Sequence, residues 1–204
     1  IAAVVAALSW WLGAPFAAVA GLYLVMNLAY SFGLKRQVIL DVFIIALGFV
    51  LRAIAGVELL RPLSPGTEIS PWLLVCTFFG ALFLALAKRR RELANAGLDA
   101  STQRKVLQQY TAEMLDGMLL ISAATSLVSY ALYTIWPATV AKFHTQALLY
   151  TVPFVAYGIF RYLFLVRVSE SSEDPSHVLL SDRPLGLTLL AYLAVVVFIL
   201  YGRV

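Results

Sequence analysis

Charge and sulfur are both scarce in this chain. Only 13% of its 204 residues are Asp, Glu, Lys or Arg, and it has one cysteine and two histidines. The cysteine, Cys76, lies in an apolar run, which excludes a disulfide framework and a cysteine-based metal site. A lone His177 in a polar stretch is not a metal site either. No P-loop, dinucleotide-type glycine pattern, HExxH or nucleophile motif occurs. With 62% hydrophobic residues and a mean hydropathy of +0.88, the usage lies far outside that of a soluble domain. The fold class is therefore all-α, a polytopic transmembrane helix bundle. The net charge of +4 concerns lipid headgroups and anionic ligands, with no nucleic acid expected.

What is present is a series of apolar runs, each near the roughly 20 residues that span a hydrocarbon core. Seven are expected: Ile1 to Leu12, Phe16 to Leu34, Asp41 to Leu60, Trp72 to Ala87, Ala112 to Trp136, Thr145 to Val166 and Leu185 to Tyr201. The chain opens on Ile1, inside an apolar run, so it reads as a fragment. The segment from Arg61 to Pro71 carries three prolines and a glycine and must be a loop. Trp10, Trp11, Trp72 and Trp136 fall at or near span ends, where an interfacial belt places them. Polar stretches at about 93–111 and 169–184 are expected to cap one face of a single integral domain covering 1–204.

Orientation follows from the cations. Ten of the fifteen lie on one side: Lys35, Arg36, Lys88, Arg89, Arg90, Arg91, Arg104, Lys105, Arg167 and Arg183. Arg61, Lys142 and Arg203 lie on the other. The cytoplasmic face is expected to carry the loops after the second, fourth and sixth runs. Nine of the eleven acids gather there too, although orientation alone would need only the cations.

Four stretches of that face could carry chemistry. In Tyr30 to Asp41, Tyr30, Lys35 and Arg36 either snorkel to headgroups or converge on phosphate oxygens, Lys as a point charge and Arg as a planar fork. Asp41 could pair with one of them or help hold a divalent cation, which makes it a weak metal candidate. Along LALAKRRRE, residues three and four apart share a helical face, so Lys88 lies beside Arg91 and Glu92 while Arg89 and Arg90 sweep elsewhere. Tyr110, Glu113 and Asp116 stand at the entrance to the fifth run, the first two on one helical face, where they could bind a hydroxyl-bearing ligand or pair with the cations. Asp182 and Arg183 before Pro184 read as a capped helix start. Deeper, Arg52 lies about 16 Å beyond Asp41 along a helix. At that depth a guanidinium is costly and is expected to face the bundle interior with a partner or an anion. Arg161 is nearer an interface and could snorkel.

At YSFGLK (30–35), DVFIIALGFVLRAIAG (41–56), LALAKRRREL (84–93) and DRPL (182–185), the chain resembles the UbiA prenyltransferase superfamily, and within it the branch that transfers phosphoribose to decaprenyl phosphate. The resemblance covers essentially the whole chain and implies helices three to nine of a nine-helix fold. It further implies a Mg²⁺-dependent transfer of 5-phosphoribose from phosphoribosyl diphosphate to a polyprenyl phosphate, releasing diphosphate, in cell-wall arabinan precursor synthesis at the bacterial plasma membrane. Other members of the superfamily carry a second aspartate-rich motif where this chain has Lys88 to Glu92, and the extra cations suit a donor with a 5-phosphate as well as a diphosphate. The residues expected to bind substrate are Tyr30, Lys35, Arg36, Arg52, Lys88, Arg89, Glu92, Tyr110 and Asp116. The family's first motif, NDxxDxxxD, is absent and is expected upstream of Ile1, so the fragment alone should be inactive. A prenyltransferase using a prenyl diphosphate and an aromatic or other acceptor is the alternative within this fold, and a lipid-binding protein or transporter is the alternative outside it. A homo-oligomer is compatible with the sequence, which does not specify its size.

Overall fold

The computed structural model describes residues 12–63, 69–95, 106–168 and 182–202. Seven α-helices occur among them: α1 (Ala14–Phe32), α2 (Leu40–Leu60), α3 (Pro71–Asn95), α4 (Ala112–Ile135), α5 (Pro137–Phe143), α6 (Val152–Val168) and α7 (Arg183–Tyr201). No strand is found among the described residues. Six segments are long and apolar enough to cross a membrane, α6 together with the 3₁₀ turn before it counting as one. The chain is thus a multi-pass helical membrane protein. Of the first expected span, all but Leu12 lies outside the described residues, as does most of both polar caps (96–105 and 169–181).

Local chemistry sets several of the helix ends. Pro15, Pro137 and Pro184 sit in the first turns of α1, α5 and α7, where a missing N–H costs nothing. Thr111 caps α4 by accepting from the Met114 amide at 3.2 Å, and Asp182 caps α7 by accepting from Leu185 at 2.9 Å. The helix α3 does not stop where its apolar run stops. It continues through the basic stretch to Asn95, which carries four cations onto a rigid cylinder.

Lipid does not drive apolar helices together, so small residues that permit close approach must do so. Between α3 and α4, which share the most extensive helix pairing, a Cβ built on Gly80 would stand 3.4 Å from the Ser126 hydroxyl. Between α1 and α2, one on Gly48 would meet Met26 and Tyr23 at 3.5 Å. Large apolar side chains such as Leu22, Val25, Ile121, Leu190 and Phe198 point outward. Trp72 and Trp136 meet edge to face, 6.2 Å apart, where α3 begins and α4 ends.

The buried core is skewed along the bundle. On α2 it comprises Val42 and Ala46, on α3 Leu82, Leu86 and Ala87, and on α4 Leu115, Leu119 and Ala123, joined by Val166 and Leu185. These positions mass toward the end holding the α1–α2 turn, the C-terminal end of α3 and the start of α4. Three charged side chains at that end, Asp41, Arg89 and Arg91, are consequently buried against packed helix.

Candidate functional site

At this end the short turn between α1 and α2 is built first. Leu34–Arg36 forms a single 3₁₀ turn closed by Arg36 N–H to Gly33 O (3.0 Å) and Gln37 N–H to Leu34 O (3.1 Å), with Lys35 and Arg36 exposed on it. Ile39 then takes φ 71° and ψ −46° before α2 starts. That conformation is strained for a β-branched residue and costs about 1–3 kcal/mol, so the surroundings must impose it.

They do so through Tyr110. Its hydroxyl accepts from the Ile39 amide at 2.7 Å and donates to Asp41 Oδ1 at 2.7 Å. Asp41, fully buried, accepts from Arg89 Nε on its other oxygen at 2.7 Å. Arg89, also buried, reaches Glu92 Oε2 through Nη1 at 2.6 Å. Four side chains and the Ile39 amide, from three chain segments, thus form one continuous network. Burial raises the Tyr110 phenol above its ordinary value, and donation to the Asp41 carboxylate raises it further, while the Ile39 amide pulls it back. The hydroxyl stays protonated and able to donate.

Around the network lie two further links. Arg90 Nε contacts Asp116 Oδ1 at 3.0 Å, bridging α3 and α4. Arg91 is buried and donates to the Leu165 carbonyl at 3.3 Å, tying α3 to α6. On the neighbouring helix pair, Arg161 makes a two-pronged bond to Asp182, Nε–Oδ1 3.1 Å and Nη2–Oδ2 2.8 Å. Asp182 therefore caps α7 and anchors it to α6 at once. The Arg161 bond, helped by the Leu185 amide, holds its carboxyl below the usual range.

The nine expected substrate-binding residues separate into groups. Arg89, Glu92 and Tyr110 come together with Asp41, and Arg90 joins Asp116 beside them. Lys35 and Arg36 stand on the adjoining turn, Lys88 is exposed one turn before Glu92, and Tyr30 is half-buried in the last turn of α1. One reading of the sequence is overturned, and one question that helical spacing leaves open is answered. Tyr110 does not share a helical face with Glu113, because it precedes the Thr111 cap in extended conformation and turns inward while Glu113 is exposed. The buried faces of the basic run belong to Arg89 and Arg91, and Lys88 is exposed, because the α3 surface facing α2 and α6 carries Leu82, Leu86 and Ala87 one and two turns earlier.

Arg52 also differs from expectation. Its side chain is exposed and lies away from the cluster. It is bonded to the Tyr23 hydroxyl at 2.9 Å and stacked over Phe49 (4.6 Å) and Tyr23 (5.4 Å). Ring faces and a phenol satisfy a guanidinium where no carboxylate is at hand. Asn27, bonded to the Tyr23 carbonyl at 2.7 Å, adds a polar group on the same helix. Tyr23, Asn27 and Tyr30 follow an i, i+4, i+7 spacing, a signal the apolar background of α1 hides.

The fit of a divalent cation can be tested on these donors. Both Asp41 oxygens are already engaged, by a guanidinium and a phenol, in a fully buried position. Among the described residues no group of three or more His, Cys, Asp or Glu side chains is arranged to hold a metal ion. The Asp41 carboxylate is thus spent on the protein's own network in this arrangement.

Fold and site together define a multi-pass membrane protein whose helices gather a cation-rich polar cluster at one end. Three proteins of known name are similar to it over nearly its whole length. The decaprenyl-phosphate phosphoribosyltransferase of Mycolicibacterium smegmatis is 32% identical over 194 residues, 93% of this chain and 59% of that protein. That of Corynebacterium glutamicum is 32% identical over 193 residues, 93% and 55% of the two chains. That of Mycobacterium tuberculosis is 30% identical over 189 residues, 92% and 59%. The chain therefore spans somewhat over half the length of these relatives. No family model matches it. The similarity supports the resemblance carried by the YSFGLK, DVFIIALGFVLRAIAG, LALAKRRREL and DRPL stretches.

Proposed function

We propose that the intact protein transfers 5-phosphoribose from phosphoribosyl diphosphate to decaprenyl or a similar polyprenyl phosphate, at the cytoplasmic face of a bacterial inner membrane, as a step toward cell-wall arabinan precursors. The observation that carries this reading is the similarity, over 92–93% of the chain, to proteins named for that activity. The charged end of a single integral domain adds chemical support, because donor, acceptor and leaving group are all phosphate esters.

In this reading Lys35, Arg36 and Lys88, the exposed cations, meet donor phosphates directly. Arg89 and Glu92 form the rigid wall behind them, and Asp116 holds Arg90 in place. An oxygen of the lipid phosphate forms a bond to the ribose anomeric carbon as the bond from that carbon to diphosphate breaks. The attacking oxygen is already anionic, so no general base is needed, and fixed cations stabilise the departing charge. The resemblance further implies Mg²⁺, which when bound would help neutralise the departing diphosphate.

The test uses membranes containing the full-length protein, labelled phosphoribosyl diphosphate and decaprenyl phosphate. Label should move into lipid with stoichiometric diphosphate release, and a prenyl diphosphate offered instead should give no product. Lys35→Ala and Lys88→Ala should each lower transfer by about 10²-fold, the scale of losing one charge-stabilising group. Full activity in both variants would sink the reading.

A further inference from the structure

The sequence points to Tyr110 as a substrate-binding residue, and in the structure its hydroxyl is engaged by the protein itself. It is 4% exposed, and its oxygen is committed on both sides, to the Ile39 amide and to Asp41. Ile39 in turn is the hinge of the turn that presents Lys35 and Arg36. On one side of it lie the Gly33 to Gln37 hydrogen bonds, the Asp41 N–H to Gln37 O bond at 3.1 Å spans it, and Phe43 N–H to Ile39 O at 3.0 Å follows as α2 begins. A β-branched residue enters this left-handed region only under constraint. Beside the Asp41 N–H to Gln37 O bond that closes around it, the side-chain constraint on Ile39 is the Tyr110 hydroxyl, aimed by a carboxylate that Arg89 fixes from α3.

We infer that Tyr110 and Asp41 are positioning residues: together they latch the backbone of Ile39 and so set where the Lys35–Arg36 turn stands relative to the basic end of α3. The inference deepens the proposed function, on which its kinetic part rests. The latch joins the α1–α2 turn to the segment before α4, two loops far apart in sequence. Neither residue needs to touch substrate, and both should tune how tightly an anionic donor is held by cations they do not themselves contact.

A direct role and a latch role are separable, because Ile39 offers a second handle. Ile39 is 36% exposed, so exchanging it for glycine gives up part of a side chain's packing but lets the backbone adopt a positive φ without strain. Tyr110→Phe keeps the ring and its packing but removes the acceptor for the Ile39 amide and the donor to Asp41. In the full-length protein in nanodiscs, amide hydrogen exchange in the peptide covering 34–42 should rise by about tenfold, the cost of one net hydrogen bond. KM for phosphoribosyl diphosphate should rise by about tenfold with kcat changed less than about threefold, which is a loss of binding and not of chemistry.

The decisive variant is Tyr110→Phe combined with Ile39→Gly. It should bring KM back to within about threefold of wild type, since the turn then needs no latch. Loss of folded protein alone would lower the amount of active enzyme and leave KM untouched. Should Tyr110→Phe fail to accumulate, Ile39→Pro removes the same amide donor and forbids the positive φ without altering Tyr110 or Asp41, and it should raise KM in the same way. Unchanged exchange in Tyr110→Phe, or a double variant as impaired as the single one, overturns the latch. If the wild type transfers no phosphoribose, the proposed function has failed, and the exchange measurement still decides the latch.

Discussion

Breaking a buried pair leaves an uncompensated charge, and at the scale of single residues this makes Arg89 the most sensitive member of the basic run. Its side chain is 4% exposed and Asp41 is 0% exposed, so Arg89→Met should destabilise the protein by about 3–5 kcal/mol. Adding Asp41→Asn should cost much less than the sum of the two single changes, because the charge left behind is then gone. Melting temperatures of the two single variants and the double in detergent would read this coupling, and strict additivity would rule it out. Asp182 offers a pH-dependent counterpart. Its carboxyl is held below the usual range by Arg161, so the stability it contributes is fully present above about pH 4, the unfolded value. That stability is lost as pH falls through the lower folded value. The melting-temperature gap between wild type and Asp182→Asn should accordingly be constant from pH 7 to 5 and close as the buffer is taken below about pH 4. A gap that widened in acid would contradict the pairing.

Among the helices, the α3–α4 seam decides how well the polar end is held. Gly80 faces Ser126 across it at a spacing that accommodates a methyl group after a small shift and nothing larger. Gly80→Ala should therefore be nearly neutral, whereas Gly80→Leu should cost about 1–3 kcal/mol through overpacking. Arg90 lies ten residues along α3, roughly 15 Å from Gly80. Its bond to Asp116 spans the same two helices, so separating them should loosen the site as well as the core. Ser126→Gly in the Gly80→Leu background should recover part of the loss in a thermal unfolding measurement. No recovery would mean that the strain is relieved elsewhere. The element boundaries themselves were largely legible: the apolar runs ending at Leu60, Trp136 and Tyr201 match helix ends within a residue, because Pro, Gly and capping residues punctuate them. The extension of α3 to Asn95 was not, since a hydropathy boundary marks where lipid ends and not where a helix does.

For the molecule as a whole, composition announces a membrane bundle, and the gathering of both charge signs at one end points to the polar cluster before any contact is known. Which cation turns inward could not be read that way. Helical spacing fixes that Arg89 and Lys88 lie on different faces, but which face is buried depends on how α2 and α6 pack against α3, a long-range fact. Periodicity likewise cannot reveal that Tyr110 bends inward to Ile39, because it lies outside any helix. Orientation in the membrane is the remaining whole-molecule expectation, and it rests on ten cations against three. Cys76→Ala leaves these 204 residues free of cysteine, and with any thiol elsewhere in the full-length protein also replaced, Gln37→Cys places an exposed thiol at the basic end and His144→Cys one at the opposite end. If Lys/Arg bias sets the topology, a membrane-impermeant maleimide should label the His144→Cys variant in intact cells and the Gln37→Cys variant only in inverted vesicles. The reverse pattern would put the basic turn outside. A phosphoribosyl diphosphate site could not be supplied from there by a cytosolic metabolite, so one labelling experiment bears on both the topology and the side from which the donor must arrive.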